Sequence, residues 1–289
     1  MKNLKALVII IVLALAVFVF VFFTPKAKNV DKDLVKSFLE SQYVDEAGLL
    51  RAATHAHPDA SRIYIASDNL LASRALATLK SPLAFRVLIT LNESYGGGFD
   101  KLHEILLAVE IPDKFYCRYN EYLGSILTSK FGMLEIYYEK PNYNCTINNW
   151  EEYADLIVYK ALYALLHGSK SHAEQLFEKL MGMWDGYGFR DAAFNGKYST
   201  YKLALAIFLY KALKAANSNK IMKYYGIIDR CYEIIGEMQR EDGGIVTDYE
   251  ALNGKVTPVG DANTETTSMV ILALYSNYPE KIGRAIENR

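Results

Sequence analysis

Residues 234–275 read IIGEMQREDGGIVTDYEALNGKVTPVGDANTETTSMVILALY. An amphipathic stretch ends at Gln239, and the chain turns at Asp242-Gly243-Gly244. After a polar loop, Asn263-Thr264-Glu265-Thr266-Thr267-Ser268 opens an apolar run that ends at Tyr275. Glycine after a helical period stops a helix, and an Asn- and Thr-rich cluster before an apolar run starts one. The same plan occurs once upstream. There an amphipathic helix ends at Trp184, Asp185-Gly186 turns the chain, and Tyr198-Ser199-Thr200 opens a second apolar helix. Fainter versions lie at Ser67-Asp68-Asn69, Gly96-Gly97-Gly98-Phe99 and Tyr153-Ala154-Asp155.

Working outward from these two segments, helical spacing predicts helices over 31–43, 67–79, 82–92, 99–109, 119–138, 150–167, 169–183, 199–215, 220–240 and 264–275, with a short one opening at Pro279. A helix that is apolar nearly all round must be covered on most sides, whereas one with a polar face lies outside. Look-alike pairs of the two kinds are expected to stack side by side. No alternating run is long enough to support a sheet beyond short loop hairpins, so the expected class is all-α.

The turn Met238-Gln239-Arg240-Glu241-Asp242-Gly243-Gly244 resembles the Q-x-x-D-G-G turn of α/α-toroid proteins, which include six-hairpin glycosidases, certain polysaccharide lyases and terpene-cyclase toroids. The likeness covers residues 150–275. It implies an α/α toroid-like array of helical hairpins, incomplete because the chain is short for six pairs. The D-x-D-D and D-D-x-x-D motifs of terpene chemistry are absent, as is an evident prenyltransferase zinc set. If the chain is catalytic, the resemblance therefore implies a glycoside hydrolase or lyase.

Ala6 to Phe23 reads ALVIIIVLALAVFVFVFF, with no charge, Gly, Pro or amide. About 18 residues rising ~1.5 Å each cover ~27 Å, close to the hydrocarbon thickness of a bilayer. The competing reading is a cleavable signal peptide, but no small-x-small site follows the run. The expected organisation is a short basic N-terminus at 1–5, a transmembrane anchor at 6–23, a linker at 24–33 and a helical domain at 34–289. The anchor makes the lipid bilayer a partner. Lys2 and Lys5 precede the run, and such a short basic segment stays inside, placing the C-terminal domain outside the cytoplasm.

Basic and acidic residues nearly balance, at 32 and 33, with no basic patch or tail, so nucleic acid has no electrostatic footprint here. The 22 tyrosines suit either helix-face packing or a wet cleft that touches sugar. Three cysteines, Cys117, Cys145 and Cys231, are too few for a disulfide scaffold. Two readings stay open: a Cys117–Cys145 bridge beside a buried Cys231, or three reduced buried thiols.

In a toroid, the starts of inner helices and the loops before them line one end of a funnel. Glycoside hydrolysis needs two carboxyl groups across the scissile bond, one of which donates a proton. The expected catalytic pair is Asp242 and Glu265, with Asp68 and Asp185 as alternates. Trp184, Tyr187 and Tyr249 are candidates to stack on sugar rings, and Asp155 and Thr264 to contact hydroxyls. Each acid also has a plainer role, as a helix cap or a turn residue. His55-Ala56-His57-Pro58-Asp59 offers imidazoles and a carboxylate, but nothing fixes them on one face, so no metal and no cofactor is expected. Two functions follow: an extracytoplasmic protein that binds or hydrolyses a polysaccharide through an acidic funnel, or a non-catalytic membrane-tethered scaffold for a protein partner.

Overall fold

The computed structural model describes residues 29–109 and 113–285. The expected sorting of helices by apolar character is the organising feature. Four helices are buried along most of their length: α2 (Leu71–Thr78, entered through a π-helical turn at Ile65–Leu70), α4 (Ala154–Leu166), α6 (Thr200–Ala215) and α8 (Thr264–Tyr275). Four others bury one face: α1 (Lys32–Ser41), α3 (Leu83–Tyr95), α5 (Lys170–Gly182) and α7 (Tyr225–Glu237). The inner helices neighbour one another in the order α2, α8, α6, α4. Outside them α3 packs on α2, α5 on α4, α7 on α6 and α1 on α8. A last helix, α9 (Tyr278–Arg284), lies so close to α6 that a Cβ on Gly283 would fall 2.2 Å from the Ala212 carbonyl oxygen.

The Asp242-Gly243-Gly244 turn is where the two ends of the fold meet. Asp31 donates its backbone N–H to Gln239 Oε1 (2.8 Å), and Gln239 Nε2 donates to the Asp31 carbonyl (2.9 Å). Gly243 has φ +92°, and a Cβ there would sit 2.0 Å from the Leu34 carbonyl oxygen. Only glycine permits both the backbone conformation and the approach.

The all-α expectation is corrected, because the described residues also form three sheets. Strands β1 (Tyr43–Val44) and β2 (Leu49–Leu50) make a small hairpin. Strands β4 (Tyr116–Thr128) and β5 (Gly132–Thr146) form a long antiparallel hairpin, with β3 (Arg62–Tyr64) parallel to β5. Strands β6 (Tyr198–Ser199), β7 (Val246–Leu252) and β8 (Lys255–Ala262) form the third sheet. The span 119–138, read as a helix, is thus two strands and their turn. Most β4 positions are at least partly exposed, so the sheet covers no continuous core face and shows no apolar alternation. In β7–β8, Asn253 (φ +51°) and Gly254 (φ +80°) supply the paired left-handed residues of a tight hairpin. The stretch 99–109 yields only a short 3-10 helix, His103–Leu107.

A second correction concerns the membrane-spanning helix. Among the described residues no helix is long and apolar enough to cross a membrane, and the stretch 6–23 for which one was expected lies outside them. Residues 1–5 and residues 24–28 of the linker lie outside them too. Cys117 and Cys145, on β4 and β5, are joined by a disulfide, and Cys231 is a buried free thiol on α7.

Candidate functional site

Side chains from the π-helical turn, the start of α8, the 3-10 helix and the β4–β5 hairpin converge at one end of the inner helices. Asp68 leaves the π-helical turn, and Glu265 is the second residue of α8. Both line a cavity of about 210 Å³, with Glu139, Ser67, Asn120 and Asn263. Glu139, on β5, holds the turn in place. Its carboxylate accepts the backbone N–H groups of Ala66 (2.9 Å) and Ser67 (3.2 Å), and the Ser67 hydroxyl donates to it as well.

Asp68 is 3% exposed. Its Oδ1 lies 3.2 Å from the Ser67 hydroxyl oxygen, and its buried Oδ2 has no hydrogen-bond partner among the described residues. Burial pushes this carboxyl well above the usual carboxylate range, and the charges of Glu265 and Glu139 push it further. Burial and the neighbouring acids thus favour the protonated form of Asp68.

Behind Glu265 stands a charged chain. His103 is 5% exposed, its Nδ1 lies 2.6 Å from Asp100 Oδ2, and its Nε2 lies 3.6 Å from Glu265 Oε1. Burial opposes a charge on the ring, but the Asp100 carboxylate, its hydrogen bond and Glu265 outweigh this and raise His103 to about 10. Burial likewise opposes the Asp100 charge, yet His103 and Arg118 hold its carboxyl well below the usual range. Asp100 also ion-pairs with Arg118 of β4 and accepts the backbone N–H groups of Leu102 and His103, both at 2.9 Å. The imidazolium rests edge-on against Tyr159 of α4, whose hydroxyl lies 2.6 Å from that of Tyr201 on α6. Glu265 thus faces a fixed cation, beside a carboxyl that burial pushes toward its protonated form.

On the far side of Asp100 and Arg118 lies a second cavity of about 580 Å³. Asp155, at the start of α4, lines it with a buried Oδ1 that lacks a hydrogen-bond partner among the described residues. Burial pushes Asp155 up, against the pull of Lys202, which itself ion-pairs with Asp191 at 2.6 Å.

Of the residues singled out from sequence, Asp68, Glu265 and Asp155 lie at this end of the inner helices. Asp242 does not. Its Oδ1 accepts the Gly244 N–H (3.0 Å), its Oδ2 pairs with Arg240 (3.4 Å), and it does not line either cavity. Asp185 accepts the backbone N–H groups of Tyr187 (3.0 Å) and Gly188 (3.2 Å) and the Tyr198 hydroxyl (2.6 Å) in the matching upstream turn. Trp184 packs edge-on against Phe189, at 5.4 Å between ring centres. Tyr249 is fully buried, stacks on Tyr198 and donates to the Tyr187 carbonyl (2.8 Å). Thr264 is fully buried and donates its hydroxyl to the Arg51 carbonyl (2.6 Å). These side chains build the loops that hold the helix starts in register.

Sequence reasoning missed Asp100, His103, Arg118 and Glu139. His103 falls in the stretch 99–109 expected as helix, and Arg118 and Glu139 flank the span 119–138 expected as another, whereas they lie on strands. The Asp100-x-x-His103 spacing was the one local signal for the pair. Among the described residues no three His, Cys, Asp or Glu side chains group as they would around a metal ion. Comparison with protein-family models, curated proteins and solved structures finds no match to this chain.

Proposed function

We propose that this protein hydrolyses a glycosidic bond in the smaller cavity, with Asp68 as general acid and Glu265 as general base. The observation that carries the reading is the asymmetry of the two carboxyls. One is buried, short of a hydrogen-bond partner and pushed toward its protonated form, and the other faces the His103 cation in the same cavity. A carboxyl that burial pushes toward its protonated form is suited to be the acid, and the second carboxyl of the same cavity is left as the base. Asp68 passes its proton to the leaving oxygen as the bond to the anomeric carbon breaks. Glu265 takes a proton from the water that attacks that carbon. Transfer of that proton to Asp68 through solvent restores both groups.

The disulfide supports placing this activity in an oxidising, extracytoplasmic compartment. A second reading, a non-catalytic module for a protein partner, is favoured by the exposed Leu123, Leu127 and Met133 on the β4–β5 hairpin.

Release of reducing ends from a polysaccharide panel tests the first reading. Asp68→Asn and Glu265→Gln are each expected to lower turnover by ~10²–10⁴-fold, while Asp242→Asn stays near wild type. A dinitrophenyl glycoside, whose leaving group needs no proton, should lose far less on Asp68→Asn than on Glu265→Gln. Unchanged turnover in both carboxyl variants, or no hydrolysis of any glycan, would give the function to the second reading.

A further inference from the structure

The larger cavity differs in kind from the acid cavity beside it. Its walls are apolar where Phe115, Tyr153 and Leu156 line it, and its rim carries Lys101 and Lys114. Both lysines are exposed, and neither makes an ion pair among the described residues. The acids in the cavity do not offset them. The Asp100 charge is taken up by His103 and Arg118. Asp155 is pushed by burial toward its neutral form, and its buried Oδ1 has no hydrogen-bond partner among the described residues.

The two cavities are one layer of side chains apart. Asp100 and Arg118 line the larger, and His103, bonded to Asp100, reaches Glu265 in the smaller. Arg118 and Asn120 lie two residues apart on β4 and so on the same face of the strand, one lining each cavity. A ligand crossing Arg118 would thus meet acids at one end and exposed lysines over an apolar wall at the other. At about 580 Å³ the larger cavity has the size of a small-molecule site, ~300–1,000 Å³, and the smaller is below that range.

Building on the hydrolytic reading, we infer that the larger cavity is a subsite for an acidic sugar. It seats the ring on the Tyr153 and Leu156 wall and the carboxylate at Lys101 and Lys114. The substrate class is then a uronate-containing glycan, oriented because its carboxylate is repelled by Glu139 and Glu265 and drawn to the lysines.

The test is calorimetric binding to the full chain, in its Glu265→Gln form so that no substrate is consumed. The probes are oligosaccharides of galacturonan, alginate and hyaluronan, each beside its carboxyl-reduced counterpart. At least one acidic oligosaccharide should bind tenfold or more tightly than its reduced partner. Lys101→Glu with Lys114→Glu should remove that preference while leaving the reduced partner's affinity unchanged. These lysines are exposed, so the double variant is expected to fold, and an unchanged melting temperature checks this. If acidic and reduced forms bind alike, or the charge reversal leaves the preference intact, the subsite is refuted and the hydrolytic reading stands. If no glycan of either form binds, the carbohydrate reading falls and the subsite with it.

Discussion

Asp68 and Asp242 are both aspartates in segments the sequence marks out, and their surroundings give them opposite roles. Asp242 caps the turn it belongs to and stays partly exposed. Asp68, buried at a helix start with a bare Oδ2, is pushed toward its protonated form. His103 links Glu265 to Asp100 and Arg118, and it has a measurable signature. Its value in the folded chain, about 10, lies above the ordinary 6.5. The stabilisation from its charge is therefore complete below about pH 6.5 and is lost as pH rises through about 10. Urea denaturation across that window should show falling stability, and His103→Gln should flatten the slope. Parallel slopes for the two proteins would contradict a charged His103.

At the scale of elements, the β4–β5 hairpin is the structure that turns a set of helix starts into a cavity. Glu139 on β5 caps the π-helical turn that aims Asp68, and Arg118 on β4 pins Asp100. The bridge between Cys117 and Cys145, 28 residues apart, ties the open end of this hairpin. The double variant Cys117→Ser, Cys145→Ser is expected to lose about 2–4 kcal/mol of stability in urea denaturation. Because both strands feed the cavity, turnover should fall at temperatures where the fold still holds. Full activity in the double variant would show that the hairpin holds its place without the bridge.

Across the whole molecule, the arrangement depends on the first described helix reaching the last inner one. Helix α1 lies on α8, and the Gln239 side chain grips Asp31 by two hydrogen bonds. Gly243→Ala places a Cβ into the Leu34 carbonyl and forces a left-handed backbone on alanine. It should cost more than ~2 kcal/mol, read as a lower urea midpoint. A midpoint equal to wild type would mean that α1 shifts freely and closes nothing.

The helices were legible because burial imposes a 3.6-residue period: the apolar run at 264–275 was read to the residue, and 199–215 to within one. The charges that open these helices were legible too, since Asp68, Asp155 and Glu265 sit where a helix start wants an acid. The sheets were not. In β4–β5 partial exposure removes the alternation that marks a strand, and its tyrosines fit a helix face as readily.

What the sequence alone determined is the inner and outer sorting of the helices and the turns between them, because those follow from local periodicity, caps and glycines. Only the tertiary structure decided which acids share a cavity. Asp100, His103, Arg118 and Glu139 join Asp68 and Glu265 from segments far apart in the chain, and desolvation together with the charges so gathered shifts Asp68, Asp100 and His103 from their ordinary values. Burial and charge neighbours are properties of the packed molecule, and no spacing along the chain encodes them.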